Sequence, residues 1–324
     1  MTTDTGIKIF QYIKEHKQVT ALEIFEYLTI SRQAIFKQLS KLQKEGKIKK
    51  IGTPPKVFYF IYDEKEAPRF DLADSGTQKT IEEFFLNITP QGQKQEGFIG
   101  FVNWCQKRDL PIEKTAKVYT EILKKYEIYK KEGLVDGMFK MKKTFDTVFV
   151  NEVFYLDFYS VEIFGKTKLG QLLLYAKQSQ DRKLIRELVD KIRKNIEDLI
   201  TSHKVDAVTF IPPTVKREIQ IMRELEKNLH LNIPAFKLVK IQTEIIVPQK
   251  TLNKLEDRIE NARRTIILGE SRKYNTILII DDALSSGATI NETAKKIKEA
   301  NLAQNIIGLA ITGSYSGFEV ISEV

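Results

Sequence analysis

One stretch, residues 276–294, constrains the fold of this 324-residue chain more than any other, and it reads TILIIDDALSSGATINETA. Residues 277–280 are apolar and mostly β-branched, which is typical of a short buried strand. Asp281 and Asp282 follow at once, then a turn of small and hydroxylated residues, and a helical pattern begins at Ile290. The order of strand, acid pair, turn and helix predicts an α/β unit with a polar site at the carboxyl end of its strand.

The turn after the acid pair has the composition of an anion-binding loop. Gly287 lets the backbone come close to a ligand, and Ser285, Ser286 and Thr289 add hydroxyl donors. A loop that leads into a helix N-terminus points N–H groups at an anion. Because the acids cannot face a phosphate, we expect them to hold sugar hydroxyls or, through water, a divalent ion. Together these features describe a ribose 5-phosphate pocket. The alternative is a strand capped by a polar turn that binds nothing.

The same stretch resembles the diphosphoribosyl-binding signature of the type I phosphoribosyltransferases. The letters SSGAT stand where TTGAT is common, and the serines keep the hydroxyls of the threonines they replace. The resemblance implies that Asp281 and Asp282 hold the ribose and that the loop clasps the 5-phosphate. It also implies Mg²⁺ bound with the diphosphate ligand, and no separate metal site in the protein. The matching loop residues are Ser285, Ser286, Gly287, Ala288 and Thr289.

Residues 150–314 resemble, more loosely, the ComF family of phosphoribosyltransferase-like proteins. Residues 211–213 (IPP) stand where that family has Val-Pro-x-Pro, and residues 249–261 resemble its Gln-x-x-Leu…Arg-x-x-Asn segment with one extra residue. The resemblance implies that the turn after Pro213 meets the pyrophosphate and that residues 242–264 form a lid. The alternative is that the basic side chains of these two segments form a solvated surface and bind no ligand. The candidate side chains are Lys216, Arg217, Lys250 and Arg258.

Residues 1–62 have the pattern of a separate small module. A first helical repeat is followed by two helices with N-cap candidates Thr20 and Ser31, and a β-hairpin pattern follows Gly46. The order resembles a winged helix-turn-helix domain, which implies binding to double-stranded DNA. A winged helix used for dimerisation or protein contact is the alternative.

Basic and amide side chains gather on the third helix and the hairpin of this module. Arginine and glutamine suit base edges in the major groove, and lysine suits phosphates. The candidate DNA-binding residues are Arg32, Gln33, Lys37, Lys41 and Lys56.

The pattern of the whole chain predicts a division into three parts. The winged helix module is followed by a linker and helical connector, residues 63–146, in which no chemistry is recognisable and the aromatic residues are expected to form core or a dimer face. Strands alternate with helices from residue 147 to 324, which predicts a parallel sheet. The predicted fold is α/β, a type I phosphoribosyltransferase-like parallel sheet with an N-terminal winged helix domain and a helical connector.

Composition limits the partners and the cellular compartment that we expect for the protein. The net charge of +9 favours a polyanionic partner. Cys105 is the single cysteine, so no intrachain disulfide can form, and this fits the cytoplasm. Apolar runs stay well below the roughly 20 residues of a membrane span, so no membrane partner is expected. A two-fold homodimer is a further hypothesis, because it would suit a winged-helix protein.

Two functions remain open at this level. The first is a DNA-binding regulator whose phosphoribosyltransferase-like domain binds phosphoribosyl diphosphate or a nucleotide. The alternative is an active phosphoribosyltransferase that transfers the phosphoribosyl group to a nitrogen acceptor with release of pyrophosphate. No base-specificity element is recognisable, which weakens the enzyme hypothesis more than the binding hypothesis. A role as a DNA-processing partner rests on family analogy alone.

Overall fold

The structure, a computed structural model, divides into two compact units, Met1–Asp71 and Leu72–Val324, which are described separately. Within the described residues, no helix is both long enough and apolar enough to cross a membrane. The described residues are 4–16, 18–53, 56–61, 74–215, 217–241, 247 and 251–314.

The first unit combines three helices with a three-stranded antiparallel sheet of order β1-β3-β2. Its core comes from the inward faces of the three helices, where Ile13, Ile24 and Leu39 are almost fully buried. The elements are α1 (Asp4–His16), β1 (Gln18–Thr20), α2 (Ala21–Leu28), α3 (Arg32–Lys44), β2 (Lys49–Thr53) and β3 (Lys56–Phe60).

Both predicted N-caps of this unit are confirmed. The Glu23 N–H donates to Thr20 Oγ1 at 3.2 Å and the Glu23 carboxylate accepts from the Thr20 N–H, which makes a capping box. The Ala34 N–H donates to Ser31 Oγ at 3.3 Å and starts α3. A left-handed Thr29 ends α2, so the two helices are joined by a tight turn. The assignment of this unit as a winged helix domain stays a prediction.

The second unit begins with helices and short hairpins. The stretch expected to be a connector also supplies β6 and β7, two antiparallel strands at the edge of the main sheet. Its elements are α4 (Ser75–Phe84), β4 (Leu86–Ile88), β5 (Lys94–Glu96), α5 (Gly97–Gln106), α6 (Ile112–Glu127), β6 (Lys130–Lys131), β7 (Leu134–Asp136) and α7 (Met138–Thr144).

Strands and helices then alternate, and the predicted α/β class is confirmed as a six-stranded, mostly parallel sheet of order β11-β14-β15-β8-β7-β6. A small antiparallel ribbon of β12 and β13 stands apart from it. The elements are β8 (Glu152–Phe158), β9 (Ser160–Val161), β10 (Gly165–Lys166), α8 (Lys168–Ser179), α9 (Arg182–Ser202), β11 (Ala207–Phe210), α10 (Ile221–Leu229), β12 (Leu238–Lys240), α11 (Leu255–Thr265), β13 (Ile266–Leu268), β14 (Tyr274–Leu284), α12 (Ala288–Glu299) and β15 (Ala303–Gly313).

Helices cover both faces of the main sheet, so its central strands are apolar on each side. Leu278 and Ile280 of β14 pack on the side of α8, α9 and α10, whereas Ile277 and Ile279 pack on the side of α7 and α12. The chain therefore leaves β11 toward α10 on one face and leaves β14 toward α12 on the other. Such a change of face opens a crevice at the carboxyl ends of the two strands, where ligands bind in open α/β sheets.

Candidate functional site

The acid pair lies at this crevice. Asp281 and Asp282 belong to the last residues of β14, which runs further than the predicted apolar strand, and both are half-buried. The Asp282 N–H donates to Asp281 Oδ1 at 2.8 Å, which holds the first carboxylate in place. On the other side, the Lys177 ammonium of α8 contacts Asp282 Oδ2. One carboxylate is thus ion-paired and the other is held by backbone. We call residues 281–289, the pair and the turn after it, the acid–hydroxyl loop.

The surroundings of the acid pair raise the pKa of Asp281. Burial, and then the neighbouring charge of Asp282, raises the pKa of Asp281 to about 7, although Lys177 and Lys240 oppose the rise. Burial would lower the pKa of Lys177, but the attraction of the two carboxylates outweighs it and leaves that pKa raised. A pKa near 7 makes both the protonated and the ionised form of Asp281 accessible near neutral pH. The protonated carboxyl can donate a hydrogen bond to a ligand hydroxyl, and the carboxylate can accept one from it.

The turn of the acid–hydroxyl loop depends on a glycine. Gly287 has φ +81°, and a Cβ placed there would lie 2.3 Å from Met141 Sδ, so only glycine fits. The Ala288 N–H donates to the buried Ser286 Oγ at 3.3 Å, and Gly287 is the N-cap residue of α12. Across the described residues, the first-turn N–H group of Thr289 finds no acceptor. The loop therefore presents backbone donors and hydroxyls at a helix N-terminus.

Of the four predicted pyrophosphate or lid residues, one contacts this loop and another lies beside Lys177. Arg258 of α11 is buried, and its Nη1 donates to Ser285 Oγ at 3.3 Å while its Nε donates to the Leu252 carbonyl at 2.7 Å. The guanidinium of Arg217, in the turn after β11, donates to the Lys177 carbonyl and so lies beside the lysine that pairs with Asp282. Lys216 and Lys250 fall outside the described residues.

Three further lysines belong to the site and were missed as site residues. Lys177 reaches Asp282 from α8, a separate helix. Lys240 of β12 donates to Thr214 Oγ1 at 2.7 Å and interacts with Asp281, and burial lowers its pKa. Lys140 of α7 donates to the Leu284 carbonyl at 3.0 Å, and burial lowers its pKa to about 8. The residues next to Lys140 and Lys240 in the sequence give no indication of a site, because only the folded chain brings these lysines to β14.

The carboxylates suit a Mg²⁺ ion that arrives with a phosphate ligand. Magnesium commonly binds one or two carboxylates and completes its shell with water and phosphate oxygens. Over the described ranges, no group of three or more His, Cys, Asp or Glu side chains could hold a metal without such help. Asp281 and Asp282 are the side chains of this site that could hold such an ion, directly or through water.

The predicted DNA-binding residues lie on α3 and β3 of the first unit. Arg32, Gln33 and Lys37 are exposed, and Lys41 is half-buried with its Nζ 3.9 Å from Glu45 Oε1. Residues four apart share a helix face, so Gln33, Lys37 and Lys41 line one side of α3. Lys56 begins β3, and its side chain lies outside the described part of the chain.

Neither a protein-family model nor a curated protein sequence matches this chain. What the site can do therefore follows from its own side chains: two carboxylates, of which Asp281 has a raised pKa, a hydroxyl-rich helix N-terminus, and a group of cations around both.

Proposed function

We propose that the second unit binds a phosphorylated ribose, either phosphoribosyl diphosphate or a nucleotide, and that the first unit is a winged helix domain that binds double-stranded DNA. The protein would then be a DNA-binding regulator that responds to this ligand. The observation that carries the proposal is the acid–hydroxyl loop at the carboxyl end of β14, flanked by Lys177, Lys240 and Arg258. The resemblance to ComF-like type I phosphoribosyltransferases supports the same ligand.

Each chemical group of such a ligand has a matching partner at this site. The 5-phosphate would lie at the N-terminus of α12, where backbone N–H groups and hydroxyls donate and the helix dipole favours negative charge. The ribose hydroxyls would bind the acid pair. A diphosphate would extend toward Lys177 and Arg217, because two cations beside the carboxylates compensate added negative charge.

Calorimetry with phosphoribosyl diphosphate and Mg²⁺ tests the ligand. The wild type should bind, and the double variant Asp281→Asn, Asp282→Asn should lose binding by at least about tenfold. Asp198→Asn, which removes an exposed carboxylate of α9, is the matched control and should bind like the wild type. Equal binding by all three proteins would refute the assignment of the acid pair.

Fluorescence anisotropy with labelled duplex DNA tests the first unit. Lys37→Ala should weaken binding and lower the slope of log affinity against log salt by about one, because one phosphate contact is lost. Lys14→Ala removes an exposed lysine of α1 outside the proposed face, so it should leave the slope unchanged. Regulation further requires that phosphoribosyl diphosphate changes the DNA affinity; an unchanged affinity would leave two binding activities without a regulatory link.

The alternative function is an active phosphoribosyltransferase that transfers the phosphoribosyl group to a nitrogen acceptor and releases pyrophosphate. The specific observation in its favour is Asp281, whose carboxyl can take up a proton near neutral pH, as a general base requires. Release of pyrophosphate in the presence of nucleobases or amines, lost in Asp281→Asn, would support catalysis. Binding without turnover over such a panel would support the regulator.

A further inference from the structure

An exposed phenylalanine lies on the helix of the first unit that carries most of the predicted DNA-binding residues. Phe36 of α3 is 52% exposed, and it does not belong to the buried cluster that the described residues of this unit form. Single exposed apolar side chains are common on protein surfaces, so exposure alone indicates nothing. The surroundings of Phe36 on α3 are what give it a possible role.

The charges of α3 suit a polyanion. This helix carries four basic side chains and no carboxylate, whereas α1 and α2 each carry two carboxylates. A DNA backbone is therefore attracted to α3 more than to the other two helices. The other large apolar side chains that are exposed among the described residues of this unit lie on α1 and α2, and they are Ile7, Leu22 and Tyr27. Phe36 is thus the exposed apolar residue that DNA would meet on α3.

Helical spacing places polar side chains next to Phe36. Residues three and four apart share a helix face, so Gln33 and Ser40 lie beside Phe36 on α3. Lys37 follows Gln33 by four residues and borders the same surface. Among the described residues, the side chains of Gln33 and Lys37 form no hydrogen bond or ion pair, so both can turn toward a ligand.

Packing fixes the side of α3 that faces outward. Ile35 and Leu39 are almost fully buried in the core of the unit, so the helix cannot turn about its axis without exposing them. In the first turn, Arg32 Cζ lies 5.5 Å from the centroid of the Phe25 ring, which ties α3 to α2 through a cation–π contact. The row of Gln33, Phe36 and Ser40 is therefore presented by a rigid element, which lowers the entropic cost of binding.

The chemistry of a phenyl ring selects one group of the major groove. Most groups on the base edges of this groove are hydrogen-bond donors or acceptors, and a ring that covers one of them removes its water without replacing the hydrogen bond. The C5-methyl group of thymine is apolar. Contact between this methyl group and Phe36 would remove apolar surface of both partners from water and leave no polar group unpaired.

We propose that Phe36 contacts the methyl group of a thymine in the major groove, while Gln33 bonds a neighbouring base pair and Lys37 a phosphate. The inference rests on the proposed DNA binding of the first unit, and it adds a base that the unit selects. Side chains three residues apart on a helix are separated by about 5–6 Å at Cβ. Successive bases are about 3.4 Å apart, so Gln33 and Phe36 would reach neighbouring base pairs.

Deoxyuridine in place of single thymines tests the contact, because it removes the methyl group and keeps the base pair. The full-length protein first selects duplexes from a random-sequence library, and each thymine of one enriched duplex is then replaced in turn. At least one replacement should weaken binding of the wild type by about fourfold, which corresponds to one buried methyl group. Phe36→Ala should bind that duplex equally well with thymine and with deoxyuridine. The contact is refuted if every replacement changes the affinity of the wild type by less than about 1.5-fold, or if the effect persists in Phe36→Ala.

Two further variants separate this contact from the rest of the interface. Ile7→Ala shortens an exposed apolar side chain of α1 and should keep the fourfold effect of deoxyuridine. Lys37→Ala should weaken binding of both duplexes by the same factor, because a phosphate contact carries no information on the base. Salt-dependent binding without any effect of deoxyuridine would refute the role of Phe36 and leave DNA binding intact. A library from which no duplex is enriched would refute DNA binding and this inference together.

Discussion

The acid–hydroxyl loop belongs to the same unit as a cavity of about 240 Å³ that is lined by Trp104, Tyr119 and Phe164 and is here called the aromatic cavity. The two are built by opposite means. The loop comes from nine consecutive residues, 281–289, that pass from a strand through a turn into a helix. The aromatic cavity draws its wall from side chains spread between Thr80 and Gln171. A polar site that depends on local backbone geometry can be predicted from a short sequence. An apolar cavity, in contrast, exists only after distant helices have packed. The two sites should therefore fail in different ways when residues are changed.

Gly287→Ala should have the largest effect, because the loop depends on its backbone. A side chain at φ +81° is strained, and its Cβ would meet the sulfur of Met141, which is fully buried and would have to shift. Binding of phosphoribosyl diphosphate should fall by about 100-fold, since small displacements of a binding loop cost that much. Calorimetry measures the loss.

Gly92→Ala is the matched control for this substitution. Gly92 has φ +75° but nothing within 4 Å of an added Cβ, so the substitution adds backbone strain without a clash. It should lower the free energy of unfolding by about 1–2 kcal/mol and leave both sites unchanged. A similar loss of ligand binding in both variants would show that general stability, and not the shape of the loop, controls the site.

Lys177→Met should come next. It removes the cation that contacts Asp282, so phosphoribosyl diphosphate should bind about tenfold more weakly in calorimetry. The Lys177 side chain is 42% exposed, so solvent screens the pair and the free energy of unfolding should change by less than about 1 kcal/mol. Lys194→Met breaks an exposed pair with Asp198 and should affect neither quantity beyond that limit. A large loss of stability without loss of affinity would make Lys177 a structural residue only.

The pH dependence of stability should distinguish Asp281 from ordinary acids. Its pKa is raised from 3.8 to about 7, so the native state binds a proton more tightly than the unfolded chain does. The free energy of unfolding should therefore fall as pH rises through this window, by at most about 1.4 kcal/mol per pH unit. Asp281→Asn should remove the fall, which urea unfolding at several pH values measures. Asp198→Asn should keep it, and an unchanged profile in Asp281→Asn would assign the dependence to another group.

The contrast between the two sites also explains which features could be predicted from the sequence and which could not. The apolar run before Asp281 and the glycine in SSGAT predicted the strand, the turn and the α12 N-terminus, because each depends on neighbouring residues. Thr20 and Ser31 predicted their caps for the same reason. Lys140 and Lys240 could not be predicted, since they reach β14 from separate elements. The aromatic residues of 81–146 were expected to form core or a dimer face. Several of them do pack together in the core, but no sequence pattern indicates that their packing leaves a cavity.

The smallest expected effect tests whether the two sites are independent at all. In the strand register, Asp157 of β8 lies beside Thr312, and Thr312 lies beside Ala283. Two strand spacings separate the sites at this level, about 10 Å. Leu123→Phe, which fills the aromatic cavity, should therefore change the affinity for phosphoribosyl diphosphate by less than about twofold, because no described side chain is shared between the two linings. A tenfold change would mean that Thr312 and its neighbours transmit the filling of the aromatic cavity to the acid–hydroxyl loop.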